Sequence, residues 1–439
     1  MPRRKAFVLF ELMNAMLYTA RAAKARGYDI VALNHNPLCA TGPFTVPEGL
    51  VDEIVPIASW TDADAVDGVL KDVAGRYEVV GTHSMLEPTL PHQAALRQLA
   101  GLPTTDPATL LGILDKTRVR TALYEAGLSA LRGVPLEEAL TWDDWRLRGP
   151  AVLKPANGTG SALCFEVAST AELRAVAERV RTADVVNPLM RDYIRAHGGF
   201  VVEEKAAGEL LSVESVVHRG KVGFVTLTGR YVLASDPVVE QGMQTPYHHP
   251  HLEQIVAASR AVHTCLGFHH GGTHLEFMVT EDGTAELIDF NPRPAGFASP
   301  VSIGEAYGLD YAEVLVDIGC GTEPDLGFTR RAPRYAVEMV VLPPPGTTEF
   351  RTIEFPAGSI AARATKSPGE RLSGRADQLD AVGMFIVTAD SAAEAHRLGL
   401  AARREVVVNG VRLGDNPHNT VAFAAHIGRD LPVPAGRPS

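Results

Sequence analysis

Apolar residues in the first hundred positions fall into short runs separated by stretches with helical spacing. Ala6 to Phe10 is a continuous apolar run of buried-strand length. Ala15 to Arg26 has helical periodicity and stops at Gly27, and Asp29 to Leu33 is apolar again. Strands alternating with helices at this spacing predict parallel pairing through crossover helices, a Rossmann-like unit. Val79-Val80-Gly81-Thr82 reads as a later strand opening into a loop at its carboxyl end, where such sheets hold ligands. No GxGxxG accompanies it, so nothing marks a dinucleotide site.

Near residue 103 the pattern changes. Asp106 before Pro107 is a helix start, with a capping carboxylate ahead of a proline at the first helical position. A helix from Lys116 to Glu125, closed by Gly127, follows. Ala151 to Phe290 reads mostly as strands and hairpins, interrupted by helices near 170–182, 186–196 and 251–266. Leu342-Pro343-Pro344-Pro345-Gly346 is a rigid break. Beyond it a strand at Met384 to Thr388, a helix at Ala392 to Arg403 and a strand at Glu405 to Val408 suggest a small α+β unit. The expected division is therefore 1–105, 106–330 and 331–432, with 433–439 as a tail.

Composition narrows the functional classes. The 41 Lys+Arg against 52 Asp+Glu give a net charge of −11, which disfavours a general nucleic-acid binder. Four isolated cysteines, Cys39, Cys164, Cys265 and Cys320, lack any CxxC spacing and suit a reducing compartment. No segment reaches the roughly 20 apolar residues of a membrane span. Arg3-Arg4-Lys5 before an apolar run has the look of a signal peptide, but Glu11 and Asn14 break the run and no small-residue cleavage site follows. The expectation is a cytoplasmic protein.

The densest chemistry lies in one hairpin. His274-Leu275-Glu276-Phe277-Met278-Val279 leads through Thr280-Glu281-Asp282-Gly283-Thr284 into Ala285-Glu286-Leu287-Ile288-Asp289-Phe290-Asn291. With Asp282-Gly283 as a two-residue turn, Glu276 lies opposite Asp289 and His274 opposite Asn291. Alternation puts those four on one face and Leu275, Phe277, Ile288 and Phe290 on the other. Two carboxylates facing each other repel and call for a cation. Together with an amide oxygen they suit Mg²⁺, which takes few carboxylates and completes its shell with phosphate oxygens. A solvated hairpin face is the plain alternative. Arg293, within Asn291-Pro292-Arg293-Pro294, adds a planar cation beside the pair and favours the metal reading.

Two other stretches complete a nucleotide cleft. Ala151-Val152-Leu153-Lys154-Pro155 is a strand with one lysine, running into Ala156-Asn157-Gly158-Thr159-Gly160-Ser161. Glycines there let backbone N–H groups approach phosphate, although no Walker GK[ST] follows and a plain hairpin turn fits equally well. Val201 to Glu209 is an apolar strand ending in Glu203, Glu204, Lys205 and Ala206. Its backbone suits an adenine edge, with Glu209 reaching the ribose; taken alone, an exposed strand end explains it as well.

In this order the pieces resemble the ATP-grasp superfamily along essentially the whole chain. The resemblance implies an α/β and α+β multidomain fold, with a Rossmann-like N-terminal domain, a split nucleotide-binding region and a C-terminal domain like that of biotin carboxylase. It implies ATP and Mg²⁺ (or Mn²⁺) as cofactors. Lys116 and Lys154 match the phosphate-contacting lysines, and Gly158 to Ser161 the flexible phosphate loop. Glu203 to Ala206 match the adenine hinge, and Glu209 the ribose acid. Glu276, Asp289 and Asn291 match the metal ligands; the usual glutamate at the second position is aspartate here. Arg293 matches the arginine that steadies the reacting phosphate and acyl group.

Within the superfamily, Glu276 to Gly296 with His274 just ahead looks most like bacterial L-amino acid ligases. The implied reaction joins a small-molecule carboxylate to an amine through an acyl phosphate, releasing ADP and phosphate. No nucleic-acid or membrane partner is implied, and a homodimer is left open. His274, Glu240, Gly296 and Phe297 are the expected substrate-contacting residues beside Arg293. His248, His249 and His251 lie in a loop near the cleft and are ordinarily just solvated. The alternatives are a biotin-carboxylase-like enzyme using bicarbonate, a phosphotransferase acting on a hydroxyl, and an ATP-binding regulatory protein without turnover.

Overall fold

The structure is a computed structural model that describes residues 3–35, 45–158, 163–182, 193–194, 199–296, 298–330, 332–374 and 380–423. The N-terminal unit is a parallel sheet of β1 (Arg4–Phe10), β2 (Asp29–Asn34), β3 (Glu53–Pro56) and β4 (Tyr77–Ser84), in the order β3-β2-β1-β4. The helix Met16–Ala25 ends as expected at Gly27, whose φ of +82° is one glycine adopts freely. Ala6, Val8 and Phe10 pack into one core, and Phe7 and Leu9 into another. Both sheet faces are therefore covered, which is why β1 reads as an unbroken apolar run.

Asp106 and Asp115 cap the helices Pro107–Ile113 and Lys116–Glu125 by accepting from backbone N–H groups of their first turns. A four-stranded antiparallel sheet follows. It contains β5 (Gly133–Pro135), β6 (Ala151–Pro155), β7 (Phe165–Val167) and β8 (Phe200–Glu204), in the order β5-β8-β6-β7. The helix Thr170–Thr182 is where the sequence puts it. Most of the helix expected over 186–196 lies outside the described residues, as does the tail at 433–439.

The second lobe is built on β9 (Glu209–His218), β10 (Lys221–Leu233), β11 (Asp236–Thr245), β12 (Gly271–Val279) and β13 (Ala285–Asn291). Its sheet continues without interruption through β14 (Tyr335–Val341). β15 (Ile353–Glu354) belongs instead to a small sheet with Val407–Val408 and Val411–Arg412. The large sheet closes with β16 (Ile360–Ala364) and β17 (Gly383–Ala389), giving the order β13-β12-β9-β10-β11-β14-β17-β16. The α+β unit expected after residue 330 thus shares a sheet with the hairpin of β12 and β13. Its helix runs Ala392–Glu405, and of the strand expected at Glu405–Val408 only Val407–Val408 is extended.

Candidate active site

The hairpin β12–β13 reaches the expected register by an unexpected route. Glu276 pairs with Asp289 and His274 with Asn291, but Val279 pairs with Ala285. The turn is a three-residue loop, Glu281-Asp282-Gly283. The Gly283 N–H bonds the Thr280 carbonyl at 3.0 Å, and Gly283 sits at φ +87°. A bulge between Glu276 and Phe277 then absorbs the extra residue. One expectation is overturned as a result: Leu287, not Ile288, joins Leu275, Phe277 and Phe290 in the core. Ile288, at the bulge, offers its carbonyl to Lys154 Nζ at 2.9 Å.

His274, Glu276, Asp289 and Asn291 come together on the face away from that core, and cations surround them. Lys116 Nζ forms an ion pair with Asp289 Oδ1. Burial opposes charge on Lys116, but Asp289 and then Glu87 hold its pKa above the usual lysine value. Glu276 accepts from His274 Nε2 at 3.1 Å and lies 3.6 Å from Arg230 Nη2. Against the cost of burial, His274, Arg230 and Lys116 keep its carboxyl below the ordinary range. His274 is clamped from the other side by Glu214 at 2.7 Å. Burial works against its proton, yet the two glutamates push its pKa up to about 9. At neutral pH it is therefore a buried cation between two carboxylates. Arg230 also pairs with Glu240, whose pKa burial raises even with that arginine beside it.

Arg293 links three parts of the site. Its Nη2 donates to Asn291 Oδ1 at 3.3 Å and its Nη1 to the Pro294 carbonyl, while Nε donates to Glu87 of the N-terminal unit at 2.7 Å. Gly296 follows with open space at its Cα; Phe297 lies outside the described residues, so its expected wall position has no structural counterpart here.

Chemically the hairpin oxygens fit Mg²⁺. They are hard donors on one face, and among the described residues their negative charge is met by Lys116, His274 and Arg230. Among the described residues no cluster of three or more His, Cys, Asp or Glu could hold a metal alone.

The smaller lobe behaves differently. Lys154 Nζ donates to Glu203 at 2.9 Å, and Glu203 is also gripped by Arg120 at 3.0 and 3.1 Å, all three buried. Glu203 therefore holds the Lys154 ammonium in place. Glu204 accepts from the backbone N–H groups of Arg132 and Arg148 and pairs with the Arg148 guanidinium at 2.7 Å. Lys205 pairs with Glu166 at 2.6 Å, and its backbone N–H bonds the Pro150 carbonyl. Ala206 is half-buried where the chain leaves β8. Glu209 pairs in register with core-facing Val279, so its side chain is on the face opposite Glu276, 3.8 Å from His249 Nε2. The structure does not bring Glu209 to the hairpin carboxylates. Lys116 and Lys154 are held together at the mouth of the phosphate loop, where the Lys116 N–H bonds the Ala156 carbonyl at 2.9 Å. Gly158 is described there, while Thr159, Gly160 and Ser161 lie outside the described residues.

Four site residues escaped the sequence: Glu87, Arg120, Glu214 and Arg230. Glu214 and Arg230 had a local signal, since each is a charge in the interior of a long, mostly apolar strand, on the same face as Glu276. Glu87 and Arg120 act only through contacts distant in sequence.

Residues 147–301 match the family model of the ATP-grasp domain. The chain is 25% identical to the alanine–anticapsin ligase of Bacillus amyloliquefaciens over 260 residues, 52% of each chain, so it spans about half the length of that curated relative. The crystal structure of an L-amino acid ligase from Bacillus licheniformis superposes with a TM-score of 0.74 at 18% identity, covering 93% of this chain and 99% of that one. The biotin carboxylase domain of the 2-oxoglutarate carboxylase of Hydrogenobacter thermophilus gives 0.66 at 17%, covering 92% and 91%. Residues 147–301 therefore match an ATP-grasp domain, and the fold of the chain is similar to that of an L-amino acid ligase.

Proposed function

We propose that this protein is an ATP-dependent carboxylate–amine ligase that activates an amino acid or related acid as an acyl phosphate. The reading rests on one observation above others: Lys116, Lys154 and Arg293, from separate elements, meet around the Glu276–Asp289–Asn291 hairpin. Three cations beside oxygen donors suit a transferring γ-phosphoryl group, whose charge spreads over its oxygens in the transition state.

Glu276, Asp289 and Asn291 would hold magnesium, which would supply charge neutralisation for the phosphates, and Mn²⁺ would suit the same oxygens. Lys116 and Lys154 then orient the phosphates, and Arg293 faces the acid. A carboxylate oxygen attacks the γ-phosphorus, the bond to the β–γ bridging oxygen breaks, and ADP leaves with that electron pair. The amine nitrogen attacks the acyl carbon of the mixed anhydride. Orthophosphate leaves with the electron pair of the C–O bond, and the new amide nitrogen gives up its proton. The loop from Gly158 to Ser161 suits the task of keeping water from the anhydride.

Kinship with an alanine–anticapsin ligase and an L-amino acid ligase favours amino acids on both sides of the new bond. A phosphate-release screen over pairs of amino acids tests this, with strong release for particular pairs expected and none for any pair contradicting it. The fold shared with a biotin carboxylase domain supports a second reading, bicarbonate-dependent carboxylation. ADP release that requires bicarbonate and biotin would favour it.

A further inference from the structure

Strand β11 carries one residue too many where it passes the cleft. Tyr231 of β10 pairs with Gly242, but the next residue, Val232, pairs with Glu240, so Gln241 is left over as a bulge. The bulge decides which way Glu240 faces. In an unbroken register Val232 would meet Gln241, and Glu240 would pair with Leu233, on the face where Leu233 and Val239 enter an apolar core. With the bulge, Glu240 shares a face with Val232 and therefore with Arg230, and those two form an ion pair.

The bulge is held from the C-terminal unit. Arg403, on the helix Ala392–Glu405, is buried and has no carboxylate partner among the described residues. Its Nη2 donates to Gln241 Oε1 at 2.6 Å, its Nε to Asn419 Oδ1 at 2.6 Å and its Nη1 to the Val340 carbonyl. Gln241 Nε2 in turn donates to the Glu240 carbonyl at 2.9 Å. Gly242 completes the kink with a φ of +144°, and a Cβ there would collide with the Glu338 carbonyl.

What the bulge secures is the position of Arg230. Its Nη2 bonds Glu240 and stands 3.6 Å from Glu276, too far for a hydrogen bond, while its Nε is buried with no partner among the described residues. An Arg230 released from Glu240 would have Glu276 within reach, and a carboxylate gripped by a guanidinium is a poorer metal ligand.

We infer that Gln241 and Arg403 are positioning residues for the hairpin: the bulge they hold keeps Glu240 on Arg230, and Arg230 off Glu276. The inference rests on the metal role of Glu276 in the ligase reading. It ties the helix of the C-terminal unit to a ligand on β12 through side chains alone.

Gln241→Leu tests this without changing any charge near the site. Mn²⁺ binding in the presence of ADP, read by electron paramagnetic resonance, is expected to weaken roughly 10-fold. Adding Arg230→Gln should bring the dissociation constant back to within about threefold of the unaltered protein. Gln241→Glu keeps an acceptor for Arg403 and should bind Mn²⁺ as the unaltered protein does. The titration gives the number of sites as well as their affinity, so unfolded protein lowers the first and leaves the second. Glu240→Gln releases Arg230 with the bulge intact and should weaken Mn²⁺ alike, again recovered by Arg230→Gln. Unchanged Mn²⁺ affinity in Gln241→Leu with only a lower melting temperature, or a loss that Arg230→Gln does not recover, would overturn the inference. If the unaltered protein binds no Mn²⁺ with ADP, it is the metal role of the hairpin that fails.

Discussion

Two acidic stretches face the cleft from opposite lobes, and they do different work. On the hairpin β12–β13, Glu276 and Asp289 are neutralised by Lys116, His274 and Arg230, cations on other strands and helices. At the end of β8, Glu203 is gripped by Arg120 and Lys154, and Glu204 by Arg148 and two backbone N–H groups. The hairpin carboxylates share their cations with further carboxylates, His274 with Glu214 and Arg230 with Glu240. Glu203 and Glu204 are consumed in holding the lobe together. A run of acids in a sequence does not distinguish these cases, because the number of internal donors decides.

The sharpest break of this comparison comes from the hairpin. Glu276→Gln and Asp289→Asn are each expected to lower Mg-dependent ATP turnover by about 10²–10³-fold, with circular dichroism unchanged. Near-normal turnover at saturating Mg²⁺ would remove the hairpin from the metal site. The opposite signature is expected at Arg120, whose guanidinium is one of two cations on buried Glu203. Arg120→Met should cost about 3–5 kcal/mol in denaturant unfolding, the price of leaving a buried carboxylate short of a partner.

Glu338 sharpens the contrast further. It is a buried acid of the same large sheet, and it accepts from the Ala298 N–H at 3.0 Å and from the Ser302 hydroxyl at 3.1 Å. Burial pushes its pKa up to about 6, above the value near 4.5 expected when unfolded. The folded state therefore binds the proton more tightly, and stability falls as pH rises from about 4.5 through 6. Glu338→Gln carries no such penalty. Its stability relative to the unaltered protein should improve by about 2 kcal/mol between pH 4 and pH 8, as read from melting curves at each pH. The smallest effect is expected at Glu209, which lies on the far face of β9. Glu209→Gln should leave the KM for ATP within about twofold, since its side chain is on the face opposite Glu276. A rise of tenfold would return Glu209 to the nucleotide site.

Much of this was legible in the sequence, and the exceptions have physical causes. Periodicity located the parallel N-terminal sheet, and Gly127 closed the helix that begins at Lys116. The pairing of Glu276 with Asp289 was also legible, although two deviations produced it. A one-residue longer turn and a bulge cancel, and Ile288 against Leu287 records the difference. The partners of Glu203 and the face taken by Glu209 were not readable. The first depends on Arg120, 83 positions away, and the second on which face of a strand its register selects. Glu87 gave no local signal at all, for its partner Arg293 is 206 positions distant.

The central claim is that a substrate oxygen becomes part of the departing phosphate. With the acid labelled by ¹⁸O in its carboxylate, one labelled oxygen per turnover is expected in orthophosphate, with ADP as the nucleotide product. Label retained wholly in the organic product, or AMP with pyrophosphate as the main nucleotide products, would contradict the acyl-phosphate mechanism.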